Sequence, residues 1–306
     1  MYLGIDIGGT KCAVILGDDE GNIIKKVRFE TTDVNSTLNR IIEESVKMGE
    51  VKAVGISCGG PLDSKKGIIM SPPNLPGWDD IHITEMLEEK LGVPVYLCND
   101  ANACALAEWK FGAGKGSNNM VFLTFGTGLG AGLILDGKLY AGTNDMAGEV
   151  GHMRLENHGP VGYGKSGSFE GFCSGGGIAQ LGKTMALEKL QQGISVAYCK
   201  SINDLETVTA KTIAEAAEAG DETAINVYKV CGEKLGAGLS VIIDILNPEV
   251  IVIGSIFARS ENLLADAMNK VIKKEALSLA AECCSVVPAK LSENIGDYAA
   301  IATALL

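Results

Sequence analysis

Gly4-Ile5-Asp6-Ile7-Gly8-Gly9-Thr10-Lys11, continued at once by Cys12-Ala13-Val14-Ile15-Leu16, is the stretch from which the fold can be read. It reads as a strand, a tight turn and a second strand. Glycine has no Cβ, so a Gly-Gly turn can bend closely around an anion, and successive N–H groups in such a turn form an anion-binding concavity. Thr10 adds a hydroxyl donor and Lys11 a positive charge. Asp6 stands at the end of the first strand, where a carboxylate can hold a hydrated Mg²⁺. Taken alone, the stretch reads equally as an ordinary hairpin with a Gly-Gly turn.

A second copy favours the ligand-binding reading. Phe125-Gly126-Thr127-Gly128-Leu129-Gly130-Ala131-Gly132 also follows an apolar run, Met120 to Thr124, and also continues into one, Leu133-Ile134-Leu135. Each copy then meets an acidic turn, Gly17 to Asn22 in the first and Asp136-Gly137-Lys138 in the second. One strand–turn–strand unit in each half of the chain suggests duplicated domains facing a cleft, with a polyphosphate gripped between the two turns. The turns are not a Walker loop, since the glycines and Ser/Thr around Gly112 to Ser117 are out of register. Nor do Gly126 to Gly132 keep the GxGxxG spacing, which disfavours a dinucleotide fold.

The 306 residues leave room for two domains with separate cores. A net charge of −12 argues against a general nucleic-acid binder, which needs a basic footprint. The nine cysteines are scattered, without a CxxC pair, and read as reduced cytoplasmic thiols. No signal peptide is evident, and no apolar run approaches the ~18 residues of a membrane span.

Along the chain, Tyr2 to Asp6, Cys12 to Leu16 and Asn22 to Glu30 form an expected meander, followed by a helix from Asn35 to Met48. Val51 to Ser57 and Val93 to Cys98 read as buried strands. Between them lie the proline-stiffened loop Ser71 to Trp78, anchored by Trp78, and a helix capped by Thr84 and stopped by Gly92. Asn99-Asp100 follows the second strand at once. Asp100 is either a helix N-cap or a carboxylate at the carboxyl end of a strand, where open α/β sheets bind their ligands. Gly112 to Ser117 reads as a hinge or linker. In the second half, the expectations are a strand from Met153 to Glu156 and a helix capped by Ser174, whose N–H groups could serve a phosphate. A long helix capped by Asp221, a strand from Val250 to Ile253, a helix from Ser260 to Leu277 and a strand around Val286 follow. The last helix, Asn294 to Leu306, is apolar enough to require burial.

With those residues placed, the chain resembles the ROK family of sugar kinases, within the actin-like, ribonuclease-H-like ATPase superfamily. The resemblance rests on Asp6 to Lys11, Asn74-Leu75-Pro76-Gly77-Trp78, Asn99-Asp100, Gly126 to Gly132, Glu149-Val150-Gly151-His152 and Asn247 to Ser255, in this order. It implies an α/β protein of two actin-like domains around a central cleft, residues 1–115 with a C-terminal helix at about 290–306, and residues 116–290. The implied activity is ATP-dependent phosphorylation of a hexose, usually at O6, in the cytoplasm, by a homodimer.

By the resemblance, Asp100 is the general base. Asn99, Glu149, His152 and Glu170 meet the sugar hydroxyls, and Gly60, Pro61, Pro73 and Asn74 form the opposite wall. Gly8, Gly9, Thr10, Lys11, Thr127 and Gly128 cradle the phosphates of ATP, Gly254 and Ser255 lie along the adenosine, and Asp6 orders Mg²⁺ through water. A non-catalytic sugar sensor is the alternative. Family repressors carry an N-terminal helix-turn-helix, whereas this chain opens on the first phosphate strand, so no nucleic-acid partner is expected.

One departure stands out. Many members hold zinc with the counterpart of His152 and three cysteines ahead of the counterpart of Glu170. Here that run is Val161-Gly162-Tyr163-Gly164-Lys165-Ser166-Gly167-Ser168, without a cysteine. A lone histidine does not make a structural zinc site, so no zinc is expected, with Tyr163 and Phe169 expected to brace the loop by packing.

Overall fold

The computed structural model describes residues 1–306, the side chain of Glu293 excepted. The chain opens with three antiparallel strands, β1 (Tyr2–Ile7), β2 (Lys11–Gly17) and β3 (Ile23–Glu30), in which Ile5 pairs with Val14 and Val14 with Val27. Helix α1 (Val34–Lys47) starts where the Asp33 carboxylate accepts the Ser36 N–H, and it buries Leu38 and Ile41. Strand β4 (Val54–Cys58), buried at every position, runs parallel to β1. A small hairpin, β5 (Leu62–Asp63) and β6 (Ile68–Ile69), leads through the proline loop to α2 (Ile83–Leu91), which ends on left-handed Gly92. Helix α2 begins at His82 rather than Thr84, and Thr84 instead packs its side chain onto Gly67. Strand β7 (Val95–Asn99) pairs parallel with β4 and passes directly into α3 (Asp100–Phe111).

The second sheet opens with β8 (Met120–Phe125), β9 (Leu129–Leu135) and β10 (Lys138–Leu139). The expected strand at Met153 to Glu156 does not form. A 3-10 turn, Val150–His152, precedes a single bridge between Arg154 and Ser168. The hairpin of β11 (Val161–Gly162) and β12 (Lys165–Ser166) then leads to α4 (Phe169–Phe172) and α5 (Gly175–Gln191). Helices α6 (Ala210–Glu218) and α7 (Glu222–Leu246) precede β13 (Val250–Ile253), and α8 (Ile256–Glu275), α9 (Ser278–Cys283), β14 (Ser285–Pro288) and α10 (Ile295–Thr303) complete the chain. Helix α8 starts four residues ahead of the expected Ser260, which is instead a non-helical kink inside it.

The two five-stranded sheets have orders β3-β2-β1-β4-β7 and β10-β9-β8-β13-β14. In each, a meander of three consecutive strands is extended past its first strand by two later ones. This is an α/β fold built twice. By contacts the chain forms two units, residues 1–122 with 132–147 and 290–306, and residues 123–131 with 148–289.

In the first unit α10 lies against β1, β4 and α3. It comes this close because glycine stands beneath it. A Cβ on Gly4 would come within 2.8 Å of the Ala300 Cβ, and one on Gly55 would run into the Ala304 N–H. Ala299, Ala300 and Ile301 are fully buried as a result. In the second unit α7 packs along α8 and buries Val227, Leu235, Leu239 and Ile243.

Residues Gly112 to Ser117, read from the sequence as a hinge, are tied down. Glu108 is fully buried, accepts the Ala113 N–H at 2.7 Å with one oxygen and the Leu291 N–H at 2.8 Å with the other. The Trp109 indole N–H donates to the Ser117 carbonyl at 2.7 Å. Hydrogen bonds to a charged group contribute about 1.5–3 kcal/mol each, and their loss strands two half-buried donors. Glu108→Ala is expected to lower unfolding free energy by about 3 kcal/mol or more in urea titrations.

Candidate active site

Parallel pairing brings three strand ends of the first sheet level with one another. Ile7 pairs with Cys58, and Cys58 with Asn99. The next residues in each strand are Gly8-Gly9, Gly59-Gly60 and Asp100, so the first glycine turn, the Gly60-Pro61 segment and the candidate base emerge at one edge. The Gly60-Pro61 peptide is cis. Asn74 joins this group. A Cβ on Gly9 would collide with its carbonyl, and one on Gly59 would lie 3.4 Å from its side-chain oxygen. The Asn99 amide nitrogen would lie 3.3 Å from a Cβ on Gly60. Gly60, Asn74, Asn99 and Asp100 are thereby brought together. Pro73 is exposed on the same loop, and Leu75 and Trp78 anchor that loop in the core.

Asn99, not Asp100, caps α3. Its side-chain oxygen accepts the Ala101 N–H at 3.0 Å, and Asp100 Oδ1 shares that donor at 2.8 Å. Asp100 is open to solvent at the strand end, yet desolvation by the protein packed around it pushes its carboxyl above the ordinary aspartate range, against the Ala101 N–H that favours its charge. Asp6, inside β1, is raised from 3.8 to about 6, first by burial and then by the nearby Asp297, with Arg28 and Lys26 pulling the other way and Asp100 adding to the rise.

Sequence reading missed Asp297, Lys26 and Arg28. Asp297 is 6% exposed and forms an ion pair with Lys26 at 2.5 Å. The signal available was an aspartate inside a helix otherwise apolar through its length.

The turn between β1 and β2 closes on itself. The Gly8 N–H donates to the Lys11 carbonyl at 3.1 Å, and the Thr31 hydroxyl donates to the Gly8 carbonyl at 2.6 Å. Gly8 therefore shapes the turn, and its N–H is not available to a phosphate. Thr10 and Lys11 are exposed at the tip.

The corresponding turn in the second unit is closed by the Gly126 N–H on the Gly128 carbonyl at 3.1 Å. Thr127 is exposed at its tip. Thr124 secures the base of the turn by accepting the Gly130 N–H at 2.9 Å. Glu170 lies directly on it. One carboxylate oxygen accepts the Leu129 N–H at 3.0 Å, and a Cβ on Gly128 would come within 2.8 Å of that oxygen. The Ser255 hydroxyl oxygen would lie 3.5 Å from a Cβ on Gly126, and Ser255 itself holds φ 51, ψ −110, a backbone conformation that strains a non-glycine residue. Gly254 is fixed by its N–H on the Leu123 carbonyl at 3.0 Å.

Ser174 caps α5 as its sequence suggested, accepting the Gly177 N–H at 3.0 Å. The Gly175 N–H, however, is spent on the Gly126 carbonyl at 2.8 Å. The first N–H of that helix therefore supports the glycine turn and a further one serves the cap, so neither stands open for a phosphate. Glu149 and His152 are exposed at the 3-10 turn, and the His152 carbonyl accepts the Lys165 ammonium at 2.6 Å.

Among the described residues no group of three or more His, Cys, Asp or Glu could hold a metal ion. Asp6 suits a Mg²⁺ held through water, since this ion keeps most of its hydration and takes one or two carboxylates together with substrate phosphates. The donors around His152 do not suit zinc. No cysteine lies between it and Glu170, and buried Cys173 directs its thiol to the Cys231 carbonyl at 3.6 Å. All nine cysteines are free.

The fold and this edge of strand ends define an α/β protein of twofold-repeated sheet design, with candidate ligand groups at the carboxyl ends of its parallel strands. The family described as the ROK family matches residues 2–305, and the chain belongs to it. It is 31% identical to a glucokinase of Thermotoga maritima over 96% of this chain and 94% of that protein. A ROK family glucokinase from Streptomyces griseus, solved in complex with glucose and AMPPNP, is 29% identical with a TM-score of 0.76 over 99% of both chains. A xylose repressor of Caldicellulosiruptor bescii is 29% identical over 90% of this chain and 70% of that protein. No helix among the described residues is long and apolar enough to cross a membrane.

The Asp6 shift has a stability consequence with a definite sign. Folded Asp6 holds its proton up to about pH 6, whereas the ordinary value is 3.8. The folded protein therefore binds the proton more tightly, and stability is lost as pH rises between those two values. Asp6→Asn removes the charge. In metal-free buffer it is expected to be more stable than the parent by about 2–3 kcal/mol near pH 7.5, with the difference vanishing near pH 4. Urea denaturation at both pH values measures it.

Proposed function

We propose that this protein is an ATP-dependent sugar kinase that phosphorylates a hexose or hexose derivative at O6, with Asp100 as general base. The observation that carries the reading is the Asp100 carboxylate, standing at a strand end beside Asn99 with its surface open to solvent, raised in proton affinity by the protein around it and close enough to Asp6 to add to the rise there. Similarity to glucokinases supports the same reading.

In this mechanism, Asn99, Glu149, His152 and Glu170 hold the sugar hydroxyls, and Gly60, Pro61, Pro73 and Asn74 shape the facing wall. Asp100 accepts the proton of the attacking hydroxyl as that oxygen bonds to the γ-phosphorus of ATP, and ADP leaves. Gly9, Thr10, Lys11, Thr127 and Gly128 hold the phosphate chain, while Gly254 and Ser255 line the adenosine. Mg²⁺, held through water by Asp6, neutralises the phosphate charge when bound. A cytoplasmic homodimer is part of the proposal.

A coupled assay with ATP, Mg²⁺ and a panel of glucose, mannose, fructose, allose and N-acetylhexosamines tests the reading. Asp100→Asn is expected to keep sugar binding by calorimetry and to lose about 10²–10⁴-fold in kcat. Because Asp100 must be ionised to act, and burial raises its pKa, the acid limb of kcat/KM is expected above the ordinary aspartate range. Undiminished turnover in Asp100→Asn contradicts the assignment.

The similarity to a xylose repressor favours a second reading, a sugar-binding regulator without turnover. Saturable sugar binding with no ADP formed from any sugar in the panel supports it over the kinase.

A further inference from the structure

We propose that the segment from His152 to Glu170 is braced by side chains where zinc-bearing relatives use a metal, and that Gln180 and Lys165 are positioning residues for Glu170. The role of Glu170 toward sugar rests on the kinase reading above. The brace itself does not.

Backbone hydrogen bonds hold the two ends of the segment together, from the Leu155 and Glu156 N–H groups to the Gly167 carbonyl at 2.9 and 3.0 Å and from the Phe169 N–H to the Met153 carbonyl at 2.8 Å, but the hairpin between them has little of its own. It is rich in glycine, has only two-residue strands and exposes Tyr163 by 83%. Tyr163 is the first turn residue of the β11–β12 hairpin, with φ 44, and is too exposed to hold the loop by packing. The expectation that it braces the loop is therefore corrected, whereas Phe169 is fully buried and lies against Gly238.

Two contacts do what the tyrosine does not. The Gln180 side-chain amide, projecting from α5, pairs with both backbone groups of Val161. Its oxygen accepts the Val161 N–H at 2.9 Å and its nitrogen donates to the Val161 carbonyl at 2.9 Å. This two-point pairing fixes the strand in position and rotation, as a neighbouring strand would. At the other end of the hairpin the Lys165 ammonium donates to the His152 carbonyl at 2.6 Å. A cation carried on the chain thus ties His152 to the hairpin.

The brace bears on Glu170 directly. Val161 is followed by Gly162, and a Cβ there would lie 2.8 Å from the Glu170 Cβ. Glu170 in turn accepts the Leu129 N–H at 3.0 Å. Gln180 therefore holds the strand that backs Glu170, and Glu170 holds the second glycine turn.

The test combines metal analysis, hydrogen exchange and kinetics. Purified protein is expected to contain no stoichiometric zinc and to keep its Tm with a zinc-selective chelator in excess Mg²⁺. Bound zinc lost together with Tm overturns the proposal. Gln180→Leu and Lys165→Met are expected to speed amide exchange at least tenfold in residues 161–171 while leaving α7 unchanged. Lys165→Arg, which keeps a donor, is expected to match the parent.

With D-glucose or D-mannose as acceptor, Gln180→Leu is expected to raise sugar KM about fivefold or more while kcat changes less than twofold. Parent-like exchange in both Gln180→Leu and Lys165→Met overturns the brace. Faster exchange with unchanged KM overturns the positioning role alone. If neither sugar is phosphorylated by the parent, the kinase reading fails for them, while the metal and exchange results still decide the brace.

Discussion

The candidate site depends on the parallel register of three strands. Because Ile7, Cys58 and Asn99 lie side by side, whatever follows each of them emerges at the same edge. A one-residue slip would turn every side chain of a strand to the opposite face. It would also bury Asp100 in the sheet or move it away from Asp6. The register is held by complete burial of β4 between its neighbours and by α10, which settles onto Gly4 and Gly55 where no side chain keeps it away. Close packing of this kind transmits small changes, so the apolar helix at the end of the chain is tied to the chemistry at its beginning.

That coupling carries charge as well as shape. Helix α10 brings Asp297 toward Asp6, and Lys26 on β3 reaches Asp297. A second carboxylate near Asp6 makes its ionisation harder, and the Lys26 and Arg28 side chains partly offset this. The arrangement gathers negative charge around Asp6, which a divalent cation there would relieve. Strain at Ser255 and raised proton affinity at Asp6 and Asp100 are costs to the folded protein, and all three lie at the candidate site.

In the second unit the same turn design is used with a different support. The first turn is closed by its own hairpin and by Thr31. The second is held from outside by Thr124, by the start of α5 and by the Glu170 carboxylate. Duplicated sequence patterns therefore do not imply duplicated surroundings. The helix start that looked open in the sequence spends one N–H on the turn and another on its own Ser174 cap.

Several features were legible in the residues alone. Apolar runs broken by Gly-Gly and Gly-Thr-Gly gave the strand–turn–strand units, because glycine and β-branched residues constrain the backbone locally. Ser174 and Asp221 cap the helices their positions implied, since capping is a matter of neighbouring atoms. The sequence also separated Asn99-Asp100 from the strand before it, although which of the two caps the helix needed coordinates. Only the tertiary structure decided that Gly8 spends its N–H within its own turn, that Glu108 fastens residues 113 and 291, that Asp297 perturbs Asp6, and that Gln180 rather than Tyr163 holds the loop before Glu170. Each of these joins atoms distant in the chain or depends on which way a side chain leaves its backbone. Local propensity carries no information about either.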